Sequence, residues 1–208
     1  MENVLSVYLR PYDSKRPVVC IDESNKQQIQ EVIESLPMKP GEPMKFDREY
    51  KRNGVSNLFM IFEPLGGWRH VKVTDNRTAI DFAHCLEDLV DIHYPNADKI
   101  VLVMDNLNTH AEASLYKAFP AEKAFRIAQK LEIHYTPKHG SWLNMAEIEF
   151  SALSRQCLNR RISDQETLIR ETKSWEDARN RSLVKCKWQF TTEKARVKLH
   201  KLYPTVSG

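Results

Sequence analysis

Lys99-Ile100-Val101-Leu102-Val103-Met104-Asp105 is the most strand-like run in this chain of 208 residues. Its central residues are apolar without alternation, so neither face of the strand can be wet, and such strands sit inside parallel sheets. The run stops in a carboxylate. Upstream, Arg16-Pro17-Val18-Val19-Cys20-Ile21-Asp22 repeats the pattern: short, apolar, partly β-branched and closed by an aspartate. In open α/β sheets the reactive crevice lies beyond the carboxyl ends of central strands, so chemistry is expected at Asp22 and Asp105.

The neighbouring segments supply the rest of an α/β layer. Residues 35–54 contain three prolines and read mostly as loop, with Asn53-Gly54 as a turn signal. Asn57 to Phe62 reads as a second strand, and Gly66-Gly67 turns the chain into a third, Trp68 to Val73, giving an antiparallel meander. From Arg77 to Tyr94 the period changes: Ile80, Ala83, Leu86, Leu89 and Val90 recur at helical spacing, with Thr74 or Asp75 as candidate caps. A helical stretch from about Glu112 to Lys130 breaks near Phe119-Pro120, Leu131 to Tyr135 is a short strand, and Pro137 to Gly140 is a turn. Ser141 can cap a helix running to about Asn159, and a last helix spans Asp164 to Arg181. Residues up to Pro17 show no clear periodicity. Three strands followed by helix, strand, helix, strand and helix make an α/β fold whose later strands run parallel.

Composition narrows the class. Hydrophobic residues make up 41% and charged residues 28%, which suits one domain with a sizeable core and excludes wholesale disorder. No apolar run nears the roughly 18 residues needed to span a bilayer, and Met1–Arg10 has no signal-peptide core, so no membrane role is expected. Cys20, Cys85, Cys157 and Cys186 lie far apart without a CxxC pair, as reduced thiols of a cytosolic protein would. Net charge is +3 but unevenly spread: Arg155 to Lys201 holds 13 Lys or Arg against 6 Asp or Glu, while the rest carries 18 against 22. A basic C-terminal third can lie along a phosphate backbone, or be no more than a solvated helix surface.

Asp22 and Asp105 can each simply cap a turn. With a third carboxylate they change character, because clustered anions raise one another's pKa unless a cation sits among them. An all-oxygen set without Cys or His favours Mg²⁺ or Mn²⁺ over Zn²⁺, and two such ions suit phosphoryl transfer. The third carboxylate is sought on the helix after Ser141, whose apolar stripe is Leu143, Ala146, Phe150, Leu153 and Cys157. At about 100° per residue, Glu147 and Glu149 flank that stripe on opposite sides, and periodicity does not choose between them. Asn144 stands three residues before Glu147, so those two share a surface.

Three blocks then carry a resemblance. Val-Val-Cys-Ile-Asp22-Glu23, Val-Leu-Val-Met-Asp105-Asn106-Leu-Asn-Thr-His110 and Ser141-Trp-Leu-Asn144-Met-Ala-Glu147 resemble those of DDE transposases, in particular the mariner-type bacterial insertion-sequence group (the IS-six-thirty family). The stretch from Asp47 to Gly54 and the Phe190 to Arg196 tail are similar to that family too, so the likeness runs from about Arg16 to Pro204. It implies a ribonuclease-H-like α/β fold: a central mixed five-stranded sheet flanked by helices, with a helical C-terminal tail. The expected layout is a lead-in over 1–16, a catalytic domain over 17–160, and a basic helical extension packed on it over 161–208.

The resemblance also implies chemistry. Its catalytic and metal-holding carboxylates fall on Asp22, Asp105 and Glu147, with Asp22 bridging two Mg²⁺ or Mn²⁺ ions. The expected activity is nicking of DNA at element ends, followed by attack of the freed 3′-hydroxyl on target DNA. Asn106, His110, Lys138, His139, Trp142 and Asn144 are expected as DNA contacts or as groups supporting the ligands, although Trp142 can equally pack the helix onto the sheet. Trp175 and Trp188 read as core anchors of the tail. The expected partners are transposon ends and target DNA, with a homodimer or a separate helix-turn-helix region, in the bacterial cytosol near the nucleoid. Relatives carry such a region ahead of the first block. Here that block begins near Pro17, so the chain is expected to be the downstream half of a frameshifted element or a truncated copy. The alternatives are a ribonuclease-H-like nuclease without strand transfer, and a non-catalytic transposase remnant.

Overall fold

The computed structural model describes residues 1–32, 41, 49–106 and 112–203. Five strands form one sheet: β1 (Val18–Glu31), β2 (Tyr50–Glu63), β3 (Trp68–Thr74), β4 (Ile100–Met104) and β5 (Leu131–Tyr135), in the order β3-β2-β1-β4-β5. The first three make the expected antiparallel meander, and β4 and β5 run parallel to β1. The fold is therefore the mixed α/β layer that the apolar runs dictate.

β4 explains why the sheet is covered on both sides. Its five residues are all buried. Ile100, Leu102 and Met104 join one core layer, while Val101 and Val103 join the other, as alternation along a strand requires. Helices α2 (Ala79–Asp88), α3 (Ala113–Ala118) and α4 (Ala121–Gln129) close the first layer through Phe82, Leu86, Leu115 and Ile127. The second is closed by α1 (Glu2–Tyr8), α5 (Ala146–Leu153), α6 (Gln165–Arg181) and α7 (Thr192–Lys198). Trp175 on α6 is buried there, and Trp188 packs against the same layer. No helix among the described residues is long and apolar enough to cross a membrane.

Several local expectations are corrected. The segment before Pro17 is not featureless: α1 buries Val4, Leu5 and Val7 completely, and each side chain so buried contributes about 1.5–3 kcal/mol. Asn53-Gly54 does not turn the chain. It lies within β2, where Gln28 pairs with Gly54 and Ile29 with Arg52, so Asn53 is the extra residue of a β-bulge and Gly54 adopts φ +121°. The cap of α2 is Thr78, four residues beyond Thr74, in a reciprocal capping box with Asp81. Ser141 opens only a 3₁₀ turn, Ser141–Leu143, and α5 proper begins at Ala146. Gly67 is needed where it stands: φ is +74°, and a Cβ there would lie 2.8 Å from the Leu183 carbonyl oxygen.

Candidate active site

The parallel pairing of β1 with β4 sets the geometry of the first two carboxylates. Val18, Val19 and Cys20 pair with Val101, Leu102 and Val103. Asp22 stands two residues beyond Cys20, and Asp105 stands two residues beyond Val103. Both strands thus reach their aspartates at the same level. Alternation puts Asp22 on the sheet face of Cys20, which is the face that α5 covers, and Asp105 follows β4 directly. Asp22 is buried, and its Oδ1 accepts a hydrogen bond from the Glu23 amide at 2.8 Å. Asp105 is half-buried and Asn106 exposed.

A buried amide ties α5 to this corner. Asn144 is fully buried; its Nδ2 donates to the Ile21 carbonyl at 2.8 Å, and its Oδ1 accepts from the Ala146 amide at 3.2 Å. One side chain therefore joins the residue before Asp22 to the residue before Glu147. Met145, Ala146 and Leu153 anchor the helix in the core below.

Glu147 and Glu149, which spacing leaves level, part company in the structure. Glu147 is exposed, and among the described residues it meets no cation. Glu149 is 2% exposed and gripped by Arg179, whose Nη2 and Nε donate to its two oxygens at 2.7 and 3.1 Å. Arg69 adds a second guanidinium, with Nε 3.4 Å from Glu149 Oε2, as an ion pair without hydrogen-bond alignment. Burial pulls the Arg69 guanidinium below its ordinary pKa, and Glu149 opposes that shift. Arg69 also donates to Gly67 O and Asn180 Oδ1, and stacks on Phe62 with Cζ 5.2 Å from the ring centre. Glu149 is thus committed to holding α5, β3 and α6 together.

A cleft opens beyond the ends of β4 and β5. Asp105, Asn106, Lys138 and His139 line it together with Thr136 and Ser141. The expected turn is present, with the Gly140 amide 2.8 Å from the Pro137 carbonyl. His139 takes φ 61°, a conformation costly for a residue with a side chain, and it stays exposed at the cleft. Trp142 is 47% exposed, stacked on Trp188 at 6.4 Å and edge-on to Phe190 at 6.0 Å. His110 lies outside the described residues, as do Asp47 and Arg48.

No group of three or more His, Cys, Asp or Glu side chains among the described residues already stands at metal-holding spacing. The donor chemistry nevertheless fits a hard divalent cation. Asp22 in β1 and Asp105 just after β4 each stand two residues beyond the last β1–β4 pair, and Glu147 lies on the helix that Asn144 ties to β1, with only carboxylate oxygen to offer. What sequence reading missed is the Arg69–Glu149–Arg179 assembly and the whole of α1. The helical spacing of Val4, Leu5 and Tyr8 is the one signal that points to α1.

The fold is ribonuclease-H-like, as comparison with solved structures shows. The Mos1 mariner paired-end complex with Mn matches with a TM-score of 0.59 at 17% identity, over 88% of this chain and 54% of that one. The Mos1 strand transfer complex matches at 0.58 and 14% identity, again over 88% and 54%. The Mos1 transposase paired-end complex with the left transposon end gives 0.58 and 15%, over 88% and 56%. The chain thus spans just over half the length of these Mos1 chains. Residues 17–169 match the DDE superfamily endonucleases, and the chain belongs to that family. Among curated proteins no sequence match is found.

Proposed function

We propose that this chain is a transposase catalytic domain that cleaves DNA at element ends and joins them to target DNA, with Asp22, Asp105 and Glu147 as its catalytic carboxylates. The observation that carries the reading is the level placement of Asp22 and Asp105 beyond the β1–β4 pairing, beside a helix that Asn144 ties to β1. The Mos1 complexes with Mn and with Mg support the choice of cation. Asp22, Asp105 and Glu147 would hold two Mg²⁺ or Mn²⁺ ions, which when bound supply activation of the attacking oxygen and stabilisation of the leaving oxygen. The chain's own residues do the remainder. Asn144 fixes where the Glu147 helix starts relative to Asp22. Lys138 and His139, exposed at the cleft, are placed to receive phosphate, and Asn106 lies beside them. Trp142 offers an exposed ring face on which a base can stack. The catalytic unit spans 17–160 with the basic helices after it, acts on DNA in the cell interior, and pairs two copies or a separate DNA-binding region.

The test supplies a duplex with a pre-cut 3′-hydroxyl end, a target duplex and Mg²⁺ to the purified chain. Joined product that disappears in Asp105→Ala, with the melting temperature kept, is the expected result. Cleavage without joining reassigns the chain to the ribonuclease-H-like nucleases, and neither reaction marks a non-catalytic remnant.

A further inference from the structure

Tyr8, at the end of α1, lies outside the residues that match the family, yet its hydroxyl reaches the segment leading into α5. It donates to the Leu143 carbonyl at 2.7 Å and accepts from the Met145 amide at 3.4 Å. The same oxygen lies 3.5 Å from Cys20 Sγ, on β1 two residues before Asp22. One phenol therefore touches both the backbone ahead of Glu147 and the strand that carries Asp22.

The contact is well founded on the protein side. Val4, Leu5 and Val7 fix α1 in the core, and Trp188 packs on the Tyr8 ring at 5.3 Å. Glu2 is gripped by Arg196 through two bonds of 2.8 Å, and Asn3 Oδ1 lies 2.6 Å from His134 Nδ1. Asn144 holds the same short segment through the Ile21 carbonyl. Residues 143–146 are thus held twice, by a buried amide and by a phenol from the far end of the chain. Burial drives the Tyr8 pKa well above its ordinary value, so the hydroxyl keeps its proton for Leu143 throughout the neutral range.

We propose that Tyr8 is a positioning residue for Glu147: its hydroxyl sets the start of α5 against β1, and with it the distance over which Glu147 and Asp22 can share a cation. This rests on the carboxylate reading above. Tyr8→Phe is the informative variant, because it keeps the ring against Trp188 and removes only the hydroxyl. Three measurements on the full chain are needed: amide exchange, Mn²⁺ titration by calorimetry, and DNA affinity without metal. A single lost hydrogen bond at a locally opening segment predicts about fivefold faster exchange at Met145 to Ile148, with the β4 amides unchanged. Mn²⁺ half-saturation should rise by a similar factor, roughly three- to tenfold, while metal-free DNA affinity stays the same.

Exchange and Mn²⁺ half-saturation equal to wild type would overturn the proposal. So would a lowered melting temperature with unchanged Mn²⁺ half-saturation, since the hydroxyl would then serve packing alone. Asp105→Ala separates the two levels of inference. If wild-type protein binds no more Mn²⁺ than that variant, the carboxylate reading falls and the Tyr8 role falls with it. If wild type binds more but Tyr8→Phe does not weaken it, only the Tyr8 role is lost.

Discussion

Glu147 and Glu149 stand two residues apart in the first turn of α5, yet one faces solvent and the other is sealed between two guanidinium groups. A buried carboxylate without a partner is too costly to keep, so Glu149 exists only together with Arg69 and Arg179. Its charge is already matched by cations that belong to the fold. Glu147 has no such cation among the described residues, and under the proposed function its oxygens go to a bound metal ion. An acidic residue in a DDE-family chain is therefore read less by its place on the helix than by whether the protein has already neutralised it.

The largest effect expected from breaking this contrast is on activity. Glu147→Gln should lower Mg²⁺-dependent cleavage by about a thousandfold or more while shifting the melting temperature by no more than about 2 °C. Single-turnover cleavage and calorimetry on the same preparation check both halves. Glu149→Leu should do the reverse at the level of the fold. It removes the carboxylate that Arg69 and Arg179 share, which costs about 3–5 kcal/mol, or roughly 10 °C in melting temperature for a chain of this size. A variant as stable as the parent would remove Glu149 from its structural role.

Asn144→Ala should fall between the two. Two buried backbone groups, the Ile21 carbonyl and the Ala146 amide, lose their partner, at about 1–3 kcal/mol, and cleavage drops as well because the start of α5 is freed. Thermal unfolding and cleavage measured together would separate this from Glu147→Gln, which moves only the second.

The smallest effect lies far from the carboxylates. His93 packs against Trp68 and His70, each at 4.8 Å between ring centres, and burial, helped by His70, lowers its pKa to about 4. The unfolded imidazole titrates near 6.5, so as pH falls from about 6.5 toward 4 the unfolded chain takes up a proton that the folded chain refuses. The stability that His93 gives is complete above that window and declines through it. His93→Gln should flatten the melting-temperature profile between about pH 4 and 6.5, and an unchanged slope would place the acid sensitivity elsewhere.

Much of this architecture was legible because it rests on local periodicity. The unbroken apolar run of β4 announces a doubly covered strand, and the change of period at Arg77 announces α2. Asp22 and Asp105 stand out in the sequence because an anion closing a buried strand is poorly solvated. Other features leave a weak, misleading or absent local trace. Arg69 lies 80 residues from Glu149, and ion pairing at that range prints no pattern on the sequence. α1 is only seven residues long, too short for a periodic signal to stand out. Asn53-Gly54 misled because positive φ serves a bulge as readily as a turn. Tyr8 and Leu143, 135 residues apart, could be joined only by the folded chain.

The in-step pairing of β1 with β4 also says what the gene can tolerate. Since strand register rather than chain length brings β1 and β4 to their aspartates in step, extra residues in the Pro95–Asp98 loop should leave that register intact. A single codon inserted between Ile100 and Met104 would push the second aspartate onto the opposite side of the layer. Length variation along a lineage of such chains should accordingly accumulate between the strands and spare the few positions before each acid.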